Sequence, residues 1–236
     1  MNRSMTLPEA TAPVSHNEIG QKLGRKGLET RERILSAMLR LLADEKGPPV
    51  TLTSVAKEAS IRLTNLYLYF PDTGALLLAA LGRVMDTAEA AFVDKLRERW
   101  PDEALHEHCL SFLHAHYDFW KRNGRLLHMR NALADAGDMR VLRYRYMATI
   151  PLIDLLAQQM DCPHEDRSGP CTSVATVLLT GLERVATVAT NPQFVQVVED
   201  GDTIEPSSHV RAMIVAEAEV VTQAIAHRRS LHSSQA

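Results

Sequence analysis

Residues 51–71 read TLTSVAKEASIRLTNLYLYFP, and this stretch decides the fold of the N-terminal part of the chain. Its apolar residues fall into two groups at helical spacing, first Leu52, Val55, Ala56 and Ala59, then Leu66 and Phe70. The spacing breaks at residues 60–62, which predicts a turn between two short helices. The Thr51 hydroxyl can cap the first helix. The pattern therefore predicts a helix-turn-helix.

The second of these helices presents polar side chains from its N-terminal half, the part of a recognition helix that enters a major groove. We expect Thr64 and Asn65 to contact base edges, and Arg62 to bind either a guanine or a phosphate. Hydroxyls of Tyr67 and Tyr69 are expected to bind backbone phosphates, although Tyr69 is also a candidate for the core. The predicted DNA-binding residues are Thr53, Arg62, Leu63, Thr64, Asn65, Tyr67, Tyr69, Lys57 and Lys26.

Residues 28–80 resemble the TetR family of bacterial transcriptional regulators. The resemblance is carried by TRERILSA at 30–37, VTL at 50–52, VA at 55–56 and LYLYFP at 66–71, ahead of a further helix. Three positions depart from the family: Ser60 stands where Gly is usual, Arg62 where Ser is common, and Thr73-Gly74 where Lys-Glu is common, which removes one expected phosphate contact.

The resemblance implies an all-α, TetR-like fold, with a three-helix N-terminal helix-turn-helix domain and a larger helical ligand-binding and dimerisation domain. It also implies a homodimer that represses transcription at a roughly palindromic operator and is released by a small-molecule effector. We predict a disordered arm at 1–24, the DNA-binding domain at 25–74 and the second domain at 75–236.

Charge is distributed unevenly along the 236 residues, whose formal net charge is −3. Residues 1–74 hold 10 Lys and Arg against 8 Asp and Glu, and the remainder holds 16 against 21. The N-terminal part is therefore weakly positive despite the negative total. A basic cluster at the start of the first helix predicts either contact with phosphates or an ordinary solvated tail; it consists of Lys22, Arg25, Lys26, Arg31 and Arg33.

The sequence lacks the signals of an exported or membrane protein. Residues 1–24 contain no apolar core of a signal peptide, and no run of eighteen apolar residues occurs. Three cysteines are too few, and of the wrong parity, for a secreted disulfide framework, so reduced thiols are expected. These features predict a cytoplasmic protein.

Helical periodicity continues through the rest of the chain, and no alternating strand pattern competes with it. We predict helices at 30–45, 73–100, 102–122 with a stop at Asn123-Gly124, 125–136, 138–160 with an interruption at Pro151, 172–190 and 207–227. Residues 161–171 are expected to form a loop. The last two helices are apolar on most sides, which predicts dimerisation through a four-helix bundle; burial in an intramolecular core is the alternative.

An effector site needs an apolar cavity with a few polar groups. The predicted ligand-binding residues are Phe112, His116, Trp120, Met129, Asn131, Tyr144, Met147, Thr180, Glu183 and Thr187, and for each of them a place in the core is the alternative. Glu183-Arg184 is interpreted first as a dimer salt bridge. The cluster of Arg130, Arg140, Arg143 and Arg145 predicts either an acidic effector, such as an acyl-coenzyme A or carboxylate, or pairing with Asp135, Asp138 or Glu219.

Metal, redox and catalytic interpretations are weaker. Of His106, His108, Cys109, His114 and His116, only His106 with Cys109 has the spacing of helical metal ligands. The loop Cys162-Pro163-His164 to Cys171 can hold zinc or form a redox disulfide, with a solvated connector as the alternative. No catalytic motif occurs, so we predict no enzyme, cofactor or metal. The competing hypothesis is a metal- or redox-dependent sensor or enzyme that retains a helix-turn-helix.

Overall fold

The computed structural model describes residues 20–45, 47–162, 168–200 and 206–233. The described part of the chain is all-α, as predicted, and contains no β-strand. Its residues form two compact units, one of residues 20–86 and 125–147, the other of residues 87–124 and 148–233. The predicted arm lies largely outside the described residues. The predicted boundary at residue 74, between a DNA-binding domain and a ligand-binding domain, is a functional division and stays a prediction.

The first unit contains the helix-turn-helix. Its helices are α1 (Arg25–Ala43), α2 (Leu52–Glu58), α3 (Leu63–Leu66) and α4 (Thr73–Met85). Asp72 caps α4, since its Oδ1 accepts a hydrogen bond from the Ala75 N–H at 2.8 Å. Apolar side chains at helical spacing form the core of this unit, among them Ile34, Met38, Val55, Leu66, Phe70, Leu77 and Leu81.

The second unit contains the remaining short helices and most of the C-terminal half. It includes α5 (Ala88–Ala91), 3₁₀ turns at Val93–Leu96 and Asp102–Ala104, α8 (Pro170–Ala189), α9 (Pro192–Asp200) and α10 (Pro206–Ser233). The two long helices α6 (Leu105–Asp135) and α7 (Met139–Gln159) contribute residues to both units. Among the described helices, α8 alone is long and apolar enough to cross a membrane, which is weak evidence because helices of soluble proteins pass the same test.

The predicted continuous helix at 73–100 is wrong. Helix α4 ends at Met85, and Phe92 leaves the helical region with φ −150° and ψ −25°. Tertiary packing explains the break, because the Phe92 ring packs against His116 and Phe119, with centroids 5.2 Å away in both cases. Burial of one aromatic side chain outweighs the helical preference of its neighbours.

Other predicted boundaries also need correction. Helix α1 begins at Arg25, five residues before the predicted start, and α9 lies between the helices predicted at 172–190 and 207–227. The predicted stop at Asn123-Gly124 is confirmed, because α6 consists of two helical segments that meet in a kink at Asn123, with φ −115° and ψ 15°. The side-chain amide of Asn123 donates to the Phe119 carbonyl at 2.9 Å. Helix α7, in contrast, continues through Pro151, where an interruption was predicted.

The turn of the helix-turn-helix is built on Ser60, which has a φ of 55°. The Ser60 N–H donates to the Lys57 carbonyl and the Ile61 N–H to the Ala56 carbonyl, each at 3.0 Å, which is a Schellman motif. Gly137, with φ 94°, occupies the same position at the end of α6. Ser60 therefore adopts the left-handed conformation at a position where the TetR family, which residues 28–80 resemble, usually has glycine, and its Cβ makes that conformation costly.

Replacing Ser60 by glycine is expected to stabilise the protein by about 0.5–1 kcal/mol. Removing Cβ relieves roughly 1–2 kcal/mol of left-handed strain, and the larger entropy of an unfolded glycine offsets part of the gain. The urea midpoint of unfolding measures the change. Ser60→Ala is the matched control, because alanine keeps Cβ and should give no gain. Equal stabilisation by both substitutions would contradict the strain argument.

Candidate nucleic-acid interface

The start of α2 is fixed by reciprocal capping between Thr51 and Ser54. The Ser54 N–H donates to Thr51 Oγ1 at 3.1 Å, and the Thr51 N–H donates to Ser54 Oγ at 2.9 Å. The Ser54 hydroxyl also donates to the Thr51 carbonyl at 2.8 Å. The Ser54 hydroxyl is thus engaged within the start of α2. Thr53, the neighbouring candidate, is exposed.

Helix α3 separates buried from exposed side chains as its pattern predicts. Leu66 and Phe70 are buried, while Arg62, Thr64 and Asn65 are exposed. Tyr67 is also exposed, and Leu63 and Tyr69 are half-buried. Arg62 is the N-cap residue of α3 but makes no side-chain capping bond. The exposed face of α3 therefore carries the predicted polar side chains, and the opposite face packs into the core.

The basic cluster at the start of α1 is only partly available for DNA. The Arg33 Nε donates to the Ala59 carbonyl at 3.2 Å, which ties α1 to the end of α2. The Arg31 guanidinium lies 4.9 Å from the centre of the Phe70 ring, and burial lowers its pKa. Lys26 is exposed and stays a candidate for phosphate contact.

Lys57 is exposed on α2, and its neighbour Glu58 has another partner. The Glu58 carboxylate accepts a hydrogen bond from the Arg40 Nε at 2.8 Å. Lys57 stays a candidate for contact with a backbone phosphate.

Sequence analysis missed Arg125, an arginine that holds the helix-turn-helix unit together. Arg125 donates to the carbonyls of Leu41 at 2.8 Å and Pro48 at 2.6 Å, and to that of Asp44, and so fixes the connection between α1 and α2. Each of these carbonyl groups is distant from Arg125 in sequence, so no local sequence pattern could have predicted the contacts.

Arg140 binds both the N-cap of α4 and the N-terminus of α7. Its guanidinium donates to the two Asp72 oxygens at 3.0 and 3.1 Å, and to the Asp138 carboxylate at 2.7 Å. Arg145 likewise donates to Asp135 at 3.1 Å. Of the predicted arginine cluster, these two side chains take the structural-pairing alternative, while Arg143 is exposed.

The predicted ligand-binding residues divide between the two units. Met129, Asn131, Tyr144 and Met147 belong to the unit that contains the helix-turn-helix, and Phe112, His116, Trp120, Thr180, Glu183 and Thr187 belong to the other. Phe112, His116 and Trp120 are buried in one aromatic cluster. Thr180 is exposed and donates to the Thr176 carbonyl at 2.8 Å. The ligand role of the set stays a prediction.

Tyr144 is the ligand candidate with the most distinctive environment. Its side chain is buried, and burial raises its pKa to about 12. Its hydroxyl has no hydrogen-bond partner within the described residues. A buried hydroxyl without a partner costs free energy, which a bound polar ligand could recover.

A cleft with a volume of about 220 Å³ lies between α6 and α10. His114, Tyr117, Asp118, Lys121, Val210, Arg211 and Ile214 line it. None of the predicted ligand-binding residues is among them, so this cleft does not match the predicted effector site.

The cysteines do not follow the expectation of three reduced thiols. Cys162 and Cys171 form a disulfide, with Cα atoms 6.4 Å apart, and residues 163–167 of the predicted loop lie outside the described residues. Cys109 is buried, which raises its pKa to about 12, and donates to the Ala218 carbonyl at 3.6 Å. In the described part of the chain, the histidine-rich segment of α6 forms no cluster of three metal-ligating groups.

Glu217 is a partly buried carboxyl on α10 that sequence analysis also missed. A Cβ built on Gly181 of α8 would lie 3.4 Å from its Oε1, so the carboxyl lies close to α8. Burial raises the pKa of Glu217 to about 7. Its folded pKa then exceeds the unfolded value of about 4.3, so its contribution to stability is full below pH ~4.3 and is lost as pH rises through 7.

Replacing Glu217 by glutamine is expected to stabilise the protein at pH 8 by about 1–2 kcal/mol, allowing for partial exposure of the carboxyl, and to have little effect at pH 4. Urea unfolding at both pH values and one protein concentration measures this difference. Glu219→Gln, at an exposed neighbouring position, serves as the control. An equal effect of Glu217→Gln at both pH values would refute the ionisation argument.

The comparisons with known proteins give partial matches. No family model matches the chain. The HTH-type transcriptional repressor KstR of Mycolicibacterium smegmatis is 35% identical over 79 residues, which cover 34% of this chain and 37% of the relative. KstR of Mycobacterium tuberculosis is 33% identical over 79 residues, 34% of either chain. The chain therefore matches about a third of the length of these curated relatives.

A solved structure extends the likeness of the fold. SCO7518 from Streptomyces coelicolor A3(2), described as a transcriptional regulator, has a TM-score of 0.50 and 22% identity, over 82% of this chain and 98% of that one. These findings show a likeness to helix-turn-helix regulators of transcription over about a third of the chain, and the matched relatives are named repressors. The predicted resemblance to TetR regulators is confirmed, and the all-α fold is TetR-like.

Proposed function

We propose that this protein is a TetR-type transcriptional repressor that binds a roughly palindromic operator as a homodimer in the cytoplasm and has no enzymatic activity. One observation carries the proposal: α3 presents Arg62, Thr64 and Asn65 to solvent while Leu66 and Phe70 anchor its other side. Side chains placed in this way reach base edges when the helix lies in a major groove.

Dimerisation is proposed through α8 and α10. The two helices run antiparallel, because Cys171 at the start of α8 lies against His232 at the end of α10, while Gly181 lies near Glu217 further along. Val177 on α8 and Val220 on α10 are 71% and 58% exposed. An apolar surface on two adjacent helices favours a partner helix pair, which is how a four-helix bundle forms.

Release by a small-molecule effector is the second part of the proposal. The buried Tyr144 hydroxyl without a described partner supports a polar contact with a ligand, and Asn131 lies on the same unit. Effector binding would favour a state in which the two DNA-binding heads have a different spacing, and so lower operator affinity by differential binding to two states.

The first test is selection of duplex DNA from a random pool by the full-length protein at low salt. We expect an enriched palindrome with two half-sites about one helical turn apart, bound by two protomers in size analysis. Binding should weaken steeply as salt rises, because phosphate contacts release counterions. Enrichment of no sequence, or of a single half-site bound by one protomer, would contradict the proposal.

A further inference from the structure

Three residues from different helices meet at one end of the second unit. Cys162 follows the end of α7, Cys171 lies in the first turn of α8, and His232 lies in the last turn of α10. The His232 Nε2 is 3.3 Å from the Cys162 Sγ and 3.7 Å from the Cys171 Sγ. All three ligand-type atoms lie within 4.8 Å of one another.

We propose that, after a thiol reductant has supplied the two electrons and two protons that convert the disulfide to two thiols, Cys162, Cys171 and His232 bind one zinc ion. Zn–S bonds of about 2.3 Å and Zn–N bonds of about 2.0–2.1 Å place sulfur and nitrogen roughly 3.5 Å apart on a tetrahedral ion. The two observed sulfur–nitrogen distances bracket that value. Three protein ligands leave one position for water or another small ligand.

The imidazole distinguishes this cluster from a simple cross-link. A disulfide needs only its two sulfurs, whereas His232 supplies a third donor whose Nε2 lies at nearly equal distances from both. Cys171 is buried, and Cys162 and His232 are half-buried. Two thiolates and one imidazole form a donor set that zinc prefers.

A rigid polar network supports the ligands on either side. The buried Arg229, one turn before His232, donates to the Gln159 carbonyl at 2.7 Å and to the Trp100 carbonyl at 3.0 Å. The side-chain amide of Gln159 in turn donates to the Leu96 carbonyl at 2.9 Å. These bonds hold α10 and the end of α7 to the same segment independently of the sulfur atoms. His232 and Cys162 should therefore stay close when the disulfide is reduced.

The residue before Cys162 is also fixed. Asp161 has a φ of 58° and ends α7 in a Schellman motif, while its carboxylate accepts a hydrogen bond from the Arg99 Nε at 2.6 Å. The N-terminus of α8 favours a thiolate at Cys171 through its free N–H groups and dipole. Binding releases one proton from each thiol, so the charge of the two thiolates balances that of Zn²⁺.

Cobalt titration of the full-length protein tests the site. The protein is reduced by a phosphine, kept under anaerobic conditions and titrated with Co²⁺, whose thiolate complexes absorb in the near ultraviolet and visible. We expect one equivalent of Co²⁺ with thiolate-to-metal bands, displaced by one equivalent of Zn²⁺. X-ray absorption of the zinc form should show two sulfur neighbours and at least one nitrogen.

Single substitutions identify the ligands. Cys162→Ser and His232→Ala should each weaken metal binding by more than about 100-fold, since loss of an outer-shell partner alone costs roughly 10–100-fold. Cys109→Ala is the matched control, because it removes a thiol that lies outside the cluster and should leave metal binding unchanged. Circular dichroism verifies that each variant is folded.

Two outcomes would overturn the proposal. Reduced wild-type protein with three titratable thiols and no cobalt–thiolate band would show that the cysteine pair is a cross-link only. Full metal affinity in folded His232→Ala, or in Cys162→Ser, would place the metal elsewhere. Because metal binding is measured without DNA, either result leaves the proposed repressor function untouched.

Discussion

Replacing Arg62 by alanine is expected to weaken operator binding by roughly 5- to 150-fold per half-site, the effect of losing a bidentate contact worth about 1–3 kcal/mol. Arg62 is exposed at the start of α3, in the part of a recognition helix that meets base edges. Its side chain makes no capping bond, so its removal should leave the stability of α3 nearly unchanged. Titration of the selected operator, by fluorescence anisotropy at fixed salt, measures the loss.

The position dependence of the loss reveals what Arg62 binds. If Arg62 binds a guanine, the variant loses discrimination at one base pair of each half-site, and affinity for unrelated DNA changes little. If it binds a phosphate, affinity falls about equally for all sequences and the salt slope drops by about one. Its place at the start of α3 favours the guanine contact, so we expect relaxed specificity at one position.

A charge-matched control distinguishes a specific contact between Arg62 and DNA from the non-specific electrostatic attraction of the protein to DNA. Arg143 is exposed on α7, and Arg143→Ala removes the same charge from the unit that contains the helix-turn-helix. This variant should keep operator affinity within about twofold, because Arg143 lies on α7, outside the helix-turn-helix, and physiological salt screens an exposed charge. Equal losses of operator affinity in Arg62→Ala and Arg143→Ala would show that Arg62 contributes only non-specific electrostatic attraction to DNA.

The parts of the fold that sequence predicted are those set by neighbouring residues. Thr51 and Asp72 cap their helices with bonds to residues three positions away, and the short apolar groups of α2 and α3 bury the expected side chains. Such features depend on local chemistry alone, which a sequence displays directly.

The errors arose where distant residues decide the conformation. Phe92 interrupts the predicted 73–100 helix because its ring packs with residues of α6. His232 is 70 residues from Cys162 and 61 from Cys171, so no spacing rule could assign it to the same cluster. Local patterns cannot encode these contacts, since only the tertiary fold brings the residues together.

The proposed dimer makes the second large prediction. Val220→Arg is expected to weaken dimerisation by roughly 100-fold or more, because an unpaired buried charge costs about 3–5 kcal/mol. Val220 is more than half exposed in the protomer, so arginine at this position should be tolerated in the isolated chain. Sedimentation equilibrium at several concentrations measures the monomer–dimer constant, and unfolding in urea verifies that the protomer remains stable.

Operator binding should fall together with dimerisation. A single head makes the contacts of one half-site, and the second head adds its contacts only when the dimer holds it at the correct spacing. We therefore expect Val220→Arg to bind the full operator with the affinity of a half-site at protein concentrations below the new dimer constant. Raising the protein concentration should restore binding, which a defect in the helix-turn-helix itself would not allow.

The control is an exposed valine of the same unit outside α8 and α10. Val197 on α9 is 69% exposed, and Val197→Arg adds the same charge and a similar volume. If the dimer forms through α8 and α10, Val197→Arg remains dimeric while Val220→Arg dissociates. Dissociation of both variants would extend the interface to α9, and a Val220→Arg protein that stays dimeric at all concentrations would exclude α10 from it. Because the added charge is matched, a difference between the variants can come only from where each valine lies.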